Sequence, residues 1–182
     1  HLRGSNWTVD EKDRFRQHVK EACGYKHLDW KRADATKVCS FIGICKANLW
    51  SHDSPEAKAA AEAAFSIDGR YAVACYRIAD DLTHGAGLLT FDDMLVFAAR
   101  HLQDPENAER WAAKWDYVLV DEAQDNSLAQ IVMLDALGRG HRNVAVIGDW
   151  RQAIYAFRGS SPAHFRAFEG QWEAASINLC RN

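Results

Sequence analysis

The hydrophobic and polar positions follow a helical period through roughly the first half of the chain. Apolar residues recur at three- and four-residue intervals, the spacing of one face of an α-helix. This spacing predicts a helix over 35–50, and its buried face carries Val38, Phe41, Ile42, Cys45 and Leu49. A further helix is predicted over 70–83. The first half is therefore expected to be a helical subdomain.

Several helices in this half are also predicted from their start signals. Thr8 and Glu11 have the spacing of a capping box ahead of a helix that carries Phe15. Pro55 follows a serine and opens an alanine-rich segment, which is the preferred place of proline in a helix. Thr90 and Asp104 each precede a further helical pattern.

The second half changes to short apolar runs. YVLVD (117–121) and NVAVIGD (143–149) each end in acidic residues, and a helix is predicted between them, over 127–137. Continuous apolar runs are typical of strands that are covered on both faces. A strand, helix and strand in this order predict a parallel pair, and 175–179 is expected to be a third short strand. The acidic residues then lie at the carboxyl edge of the sheet, where ligands bind in open α/β folds.

Composition and charge narrow the classes of protein. The 182 residues are 48% hydrophobic and 26% charged, with a net charge of −3, which is typical of a globular chain. A nucleic-acid partner is not indicated by net charge, although a local basic face remains open. No apolar run approaches the roughly 20 residues of a membrane span, so no membrane partner is expected.

The five cysteines carry no metal-binding or disulfide pattern. They lie at 23, 39, 45, 75 and 180 without a CxxC pair, which indicates free thiols in a reducing compartment and favours a cytoplasmic location. His18, Cys23 and His27 form a loose group of metal-ligand types, but no fourth ligand has suitable spacing.

Asp121 and Glu122 stand side by side at the end of the first predicted strand. Two adjacent carboxylates repel each other, and a bound Mg²⁺ would offset that repulsion. A hydrophobic strand that ends in Asp-Glu resembles the Walker B element of a P-loop NTPase. The resemblance implies that Asp121 would hold the metal ion and that Glu122 would polarise a water molecule. The alternative is a structural one, in which strand-end acids cap the next helix; Asp125 or Asn126 has the position for this role.

The flanking motifs carry a resemblance to a known family. VDEAQD (120–125) and VIGDWRQAIYAFRGS (146–160) resemble motifs II and III of the UvrD/Rep/PcrA group of superfamily 1 DNA helicases, which includes the RecB- and AddA-like motors. LLTFDDML (88–95) resembles the FDDL segment of the family, and INLCRN (177–182) resembles the start of its motif IV. The resemblance covers roughly 88–182. Residues 1–87 correspond to the family only by their position, at which the family inserts a helical subdomain.

The resemblance implies an α/β fold, namely a partial RecA-like P-loop NTPase domain, a parallel sheet with flanking helices, joined to an α-helical subdomain. Residues 1–88 would form a helical insert of the 1B type, and 89–182 the C-terminal part of the first motor domain, 1A. ATP and Mg²⁺ would be the cofactors. Single-stranded DNA and the remaining parts of the motor would be the partners.

The resemblance also implies roles for residues of the nucleotide site. Asp121 would be the Mg²⁺ ligand, with Glu122 beside it, and Glu122 would be the catalytic base. Asp121, Asp149 and Gln152 would contact the nucleotide, Gln152 through the γ-phosphate as a catalytic residue.

Other motif residues would bind DNA or couple the two activities. Tyr155 and Phe157 would stack on unpaired bases, and Arg158 would pair with a phosphate or with an acid of motif II. Gln124 and Asp125 would couple nucleotide state to DNA. Packing in the core is the structural alternative for both aromatic residues, and it is the expectation for Trp111 and Trp115, four residues apart.

A phosphate-binding GxxxxGK[ST] loop is missing, since no two glycines of the sequence stand five apart. We therefore expect an internal fragment of an ATP-dependent DNA helicase that is inactive alone. The alternative is a non-catalytic DNA- or protein-binding module derived from a helicase. Coding sequence on either side would discriminate between them.

Overall fold

The computed structural model describes residues 6–11, 13–24, 34–152, 159 and 162–178. The chain divides into two compact units, His1–Phe97 and Ala98–Asn182. Most described residues are helical, and the strands are short and parallel, which is consistent with the expected partial α/β domain.

Among its described residues, the first unit contains two short strands and four helices, followed by the start of a fifth. They are β1 (Thr8–Val9), α1 (Arg14–Gly24), α2 (Ala35–Ala47), α3 (Pro55–Phe65), α4 (Gly69–Gly85), β2 (Leu88–Leu89) and α5 (Phe91–Leu102), which continues into the second unit. The helical character of this half is confirmed. The predicted helices over 35–50 and 70–83 correspond to α2 and α4.

The capping box at Thr8 is wrong. Thr8 belongs to β1, which pairs in parallel with β2. Asp10 caps α1 instead, because its carboxylate accepts from the backbone N–H groups of Arg14 at 3.1 Å and Phe15 at 2.7 Å. A carboxylate at a helix start satisfies free donors in the same way as a hydroxyl, and strand pairing at Thr8 moved the helix start along the chain.

The core of the first unit is a cluster of side chains from α1 to α4. Val38, Phe41, Ile42 and Cys45 are fully buried, as the pattern predicted. Leu49, which was predicted on the same face, lies beyond the end of α2 and is only partly buried. Phe41 lies edge-on to Phe65, with 5.8 Å between the ring centroids. This packing is the main source of stability for helices of this length.

The remaining helix starts are confirmed. The Ser54 hydroxyl accepts from the N–H of Ala57 at 3.3 Å, with Pro55 at the first helical position of α3. Thr90 and Asp93 cap α5 reciprocally, with Thr90 N–H 2.9 Å from Asp93 Oδ2 and Asp93 N–H 3.1 Å from Thr90 Oγ1. Asp104 caps the next helix, α6 (Pro105–Ala112).

The second unit contains a parallel strand pair. Its elements after α6 are β3 (Val118–Val120), α7 (Leu128–Gly138), β4 (Val144–Val146) and α8 (Pro162–Trp172). β3 and β4 are parallel, in the register Val118 to Val144 and Val120 to Val146. The predicted strand–helix–strand unit is therefore confirmed.

The sheet of this unit differs from the prediction in two respects. Leu119 is 73% exposed and Tyr117 is also exposed, so among the described residues of the unit only one face of β3 is covered. Residues 175–178 are not in a strand, and Ile177 is 84% exposed. An apolar run shows that burial of its side chains is favourable, but it does not identify the element that packs over them.

The expectation of core packing for Trp111 and Trp115 is also wrong. Trp111 remains partly exposed with the ammonium of Lys114 over its ring, 4.1 Å from the centroid. Trp115 lies beyond the end of α6 and is exposed. The four-residue spacing therefore does not put both rings on one buried face, because the helix ends between them.

None of the helices in the described ranges combines the length and apolar character required to cross a bilayer.

Candidate functional site

The two parallel strands bring the acidic segments together at their carboxyl ends. The backbone ladder continues past the strands, since Ile147 N–H donates to the Val120 carbonyl at 2.7 Å and Ala123 N–H donates to the Ile147 carbonyl at 2.9 Å. The segments that follow β3 and β4 are thus held side by side. Functional side chains that are distant in sequence meet at one edge of the sheet.

Asp121 and Glu122 project from this edge, and both are exposed. Asp121 Oδ1 accepts from the backbone N–H of Glu122 at 2.9 Å. Glu122 has a φ of 50°, in the left-handed region that a residue other than glycine rarely adopts. Such a conformation persists where the surrounding structure holds it, and it is common at functional sites.

Gln124 connects the segment that follows β3 to the segment that follows β4. Its side chain is buried, with 1% exposed. The Nε2 group donates to Glu122 Oε2 at 2.6 Å, and Oε1 accepts from the backbone N–H of Asp149 at 3.1 Å. One amide therefore bridges the strand-end acid and the loop that follows β4.

Asp149 and Gln152 form the second half of the site. The Arg151 N–H donates to Asp149 Oδ1 at 2.9 Å, and Gln152 Nε2 donates to Asp149 Oδ2 at 3.1 Å. These two hydrogen bonds hold the pKa of Asp149 below its ordinary value, and the bond from the Arg151 backbone has the larger effect. The Asp149 carboxyl group is therefore ionised at neutral pH. The Gln152 side chain is exposed at the same edge.

Asp125 lies in a single 3-10 turn, Ala123–Asp125, and does not cap α7. That role belongs to Ser127 and Gln130, which form a reciprocal capping box. The Asn126 alternative is wrong for the same reason. One carboxylate oxygen of Asp125, Oδ1, is buried and has no hydrogen-bond partner among the described residues. A buried oxygen of this kind is costly unless a further group satisfies it.

The predicted DNA-binding residues Tyr155, Phe157 and Arg158 lie outside the described residues. Their stacking and phosphate-pairing roles stay predictions, as does the alternative of core packing.

The oxygen-rich edge fits a hard divalent cation. Asp121 uses one carboxylate oxygen in the hydrogen bond with Glu122 N–H, and its other oxygen is in no hydrogen bond of the described structure. Mg²⁺ prefers one or two carboxylates, with substrate phosphate oxygens and water at its other positions. Asp121 is the residue that would hold it, with Glu122 adjacent.

A groove of about 760 Å³ lies elsewhere in the second unit, along α6 and α7. Leu102, Ala112, Trp115 and Val132 contribute to its lining, and none of the strand-end acids does. The candidate site is therefore defined by strand topology and hydrogen bonding.

A second group of charged side chains was missed by the sequence reasoning. Lys46 is 2% exposed, and its ammonium lies 2.9 Å from Asp80 Oδ1 and 2.7 Å from Asp93 Oδ1. His84 Nε2 lies 3.4 Å from Asp93 Oδ2. The signal was available, because Lys46 lies one helical turn after Ile42 on the buried face of α2.

The group around Lys46 is an ion-pair network. Its acidic and imidazole ligand atoms, from Asp80, His84 and Asp93, lie within 4.8 Å of one another, a spacing that suits a metal ion. The Lys46 ammonium already supplies the positive charge there. Burial by itself would raise the pKa of Asp93, but His84, Lys46 and Thr90 outweigh it and hold that pKa well below the ordinary value.

Comparison with known proteins agrees with the motif resemblance. The chain from residue 2 to 173 matches the family model of the UvrD/REP helicase N-terminal domain. It is 32% identical over 129 residues to the ATP-dependent DNA helicase Rep of Escherichia coli (strain K12), which covers 70% of this chain and 19% of Rep.

Two further relatives are similar over about half of the chain. The ATP-dependent DNA helicase PcrA of Bacillus subtilis (strain 168) is 34% identical over 50% of this chain and 12% of PcrA. The ATP-dependent DNA helicase UvrD1 of Mycobacterium leprae (strain TN) is 37% identical over 53% of this chain and 14% of UvrD1. The chain thus spans a fifth or less of the length of these relatives. By the extent of the family match, it belongs to the UvrD/REP helicase family.

Proposed function

We propose that this chain supplies the water-activating and nucleotide-sensing part of an ATP-dependent DNA helicase that translocates on single-stranded DNA. The observation that carries the proposal is the hydrogen-bonded path Glu122–Gln124–Asp149–Gln152 at the carboxyl edge of a parallel strand pair. Ligands bind at this edge in open α/β sheets. The matched helicase family and the names of the relatives support the same reaction.

Glu122 is the general base of the proposed reaction. A water oxygen attacks the γ-phosphorus of ATP, its proton passes to the Glu122 carboxylate, and the bond to the β,γ-bridging oxygen breaks, which releases ADP and inorganic phosphate. A bound Mg²⁺ would neutralise developing charge on the phosphates. Asp121 is the residue that would hold that ion. Glu122 is exposed, so its carboxylate is accessible to water.

Asp149 and Gln152 report the state of the nucleotide. The Gln152 amide lies 3.1 Å from the ionised Asp149 carboxylate, which orients it. In the proposal this amide contacts the γ-phosphate, and the segment that follows it carries Tyr155, Phe157 and Arg158 to DNA. Residues 89–182 then correspond to the later part of a RecA-like motor domain, 1A, and residues 1–88 to a helical 1B-type insert. A cytoplasmic location goes with this function.

The test is the Glu122→Gln variant of the full-length helicase that contains these residues. The substitution removes the base and keeps the size of the side chain, so kcat for ATP should fall by at least about 100-fold, with little change in KM. Glu169→Gln, at an exposed glutamate of α8, is the matched control and should retain the wild-type rate. A Glu122→Gln variant with near-normal kcat would refute the catalytic assignment.

The chain by itself should bind Mg-ATP no more tightly than about millimolar. It has no glycine-rich loop whose N–H groups would surround the α- and β-phosphates. Calorimetric titration of the purified chain measures this directly. Micromolar binding that disappears in Asp121→Asn would mean that these residues form a complete nucleotide site, contrary to the proposal.

A further inference from the structure

The Gln124 amide uses both of its ends. Its Nε2 lies 2.6 Å from Glu122 Oε2, and its Oε1 lies 3.1 Å from the backbone nitrogen of Asp149. A carboxylate only accepts and a backbone N–H only donates, so the two partners determine the orientation of the amide. Because the side chain is buried, water does not compete freely for either bond.

Gly148 provides the space for this arrangement. A Cβ atom at position 148 would collide with Gln124 Oε1 and would lie 3.2 Å from the backbone nitrogen of Ala123 and 3.3 Å from that of Gln124. The two backbone nitrogens belong to the turn after β3 and cannot swing away as a side chain does. The residue before Asp149 must therefore be glycine for the amide to reach the loop.

Glu122 depends on an external contact for its position. Its backbone is in the left-handed region, and its carboxylate extends into solvent. An exposed glutamate samples many rotamers, and ordering one of them costs side-chain entropy. A hydrogen bond to a charged group is stronger than one between neutral groups and offsets that cost.

We propose that Gln124 is a positioning residue that holds the Glu122 carboxylate where it can accept the proton of the attacking water. The same amide ties that carboxylate to the loop 148–152. A displacement of this loop is thereby transmitted to Glu122 over two hydrogen bonds. This inference rests on the proposed function of Glu122 and adds the group that orients it.

Two substitutions at Gln124 separate its two contacts. Gln124→Met has a similar volume and removes both hydrogen bonds. Gln124→Glu keeps an acceptor for Asp149 N–H and replaces the donor with a second carboxylate beside Glu122, which should push the base away. Both variants should lower kcat roughly 10–100-fold, the scale of a misplaced catalytic group, and leave KM for ATP within about twofold.

Gly148→Ala tests the same contact from the other side. The added methyl group displaces the amide and crowds the backbone of the turn after β3, so this variant should show at least the kcat defect of Gln124→Met. The double variant Gly148→Ala with Gln124→Met should be no slower than the worse single variant, because both changes remove one link. Multiplied effects in the double variant would overturn the proposed link.

The experiment measures steady-state ATPase rates of these variants in the full-length helicase with saturating single-stranded DNA, beside Glu122→Gln. Thermal melting identifies variants that fold as the wild type does, and Gln124→Glu serves if Gln124→Met fails this criterion. Wild-type kcat in a folded Gln124 variant, with Glu122→Gln inactive, would overturn the positioning role and leave the proposed function standing. An active Glu122→Gln would instead overturn the proposed function, and with it the inference.

Discussion

The two units of the chain place charged side chains in opposite environments. In the first unit Lys46 and Asp93 are buried and Asp80 is partly buried, and the three are paired beside aromatic rings, with the Lys46 ammonium 4.9 Å from the centroid of Phe15. In the second unit Asp121 and Glu122 extend into water from the end of a short strand. The same residue types thus hold a core together in one region and remain available to a ligand in the other.

The apolar residues differ in the same way. Ile42 is fully buried in the core of the first unit, whereas Ile147 is 55% exposed beside the candidate site. An exposed carboxylate keeps its hydration and contributes little to stability. A buried one must be paired, since an unpaired buried charge is costly. From this comparison we expect most of the stability to come from the helical unit, whereas the candidate ligand site lies in the strand-end unit.

The largest effect is expected from Lys46→Met. The change leaves two carboxylates in a buried network without their cation, and the free energy of unfolding should fall by about 3–5 kcal/mol. Lys37→Met, at an exposed lysine of the same helix, is the control and should stay within about 0.5 kcal/mol of the wild type. Chemical denaturation measures both. Equal losses in the two variants would mean that the ion pairs do not stabilise the first unit.

A smaller effect is expected from truncating an apolar side chain in each unit. Ile42→Ala removes a fully buried side chain and should cost about 2–5 kcal/mol. Ile147→Ala truncates a side chain that is mostly in water and should cost no more than about 0.5 kcal/mol. The midpoint and slope of urea unfolding give both values. A cost for Ile147→Ala as large as that for Ile42→Ala would end the distinction between the units.

The smallest effect concerns pH. The contact with Asp93 raises the pKa of His84 against the opposing effect of burial, and Asp93 and Asp80 also attract the protonated ring. The folded state therefore favours the protonated form of His84. The stability that this contributes is complete below the pKa of the unfolded chain, about 6.5, and is lost as pH rises through the raised pKa of the folded state. The nearby Lys46 ammonium has the opposite effect and lowers the pKa of His84.

Unfolding of the wild type and of His84→Gln, followed across that pH window, checks the assignment. The wild type should lose stability as pH rises, and the variant should lose less because it has no proton to release at this position. Parallel curves for the two proteins would exclude His84 as the source of the pH dependence.

Local patterns predicted most of the helices, since capping and periodicity involve residues close in sequence. The face of α2 with Phe41 and Ile42 and the starts at Pro55 and Asp104 follow these patterns. The start of α1 does not follow these local patterns, because Thr8 pairs with Leu88, some 80 residues away. Pairing at that distance leaves no local sign.

The candidate site likewise has a part that the sequence predicted and a part that it did not. The positions of Asp121, Glu122 and Asp149 after two apolar runs, together with the helicase motifs, were sufficient to predict a shared sheet edge. That Gln124 links them was not predictable, because the bridge requires the register of β3 against β4 and a glycine at 148. The motif indicates that a glutamine is present, and only its contacts show what it holds.

The sequence by itself determined most of the helices, the parallel pair of β3 and β4 and the helicase family, all of which depend on short-range spacing or on motif identity. It did not predict β1 or β2, and the strand that it predicted over 175–179 is not observed at 175–178. Tertiary structure alone decided which charges are buried. Lys46 and Lys37 are lysines of one helix, yet only Lys46 meets carboxylates from α4 and α5. The environment of a charge is set by elements brought together from distant parts of the chain, and that environment decides whether it stabilises the fold or remains free for a ligand.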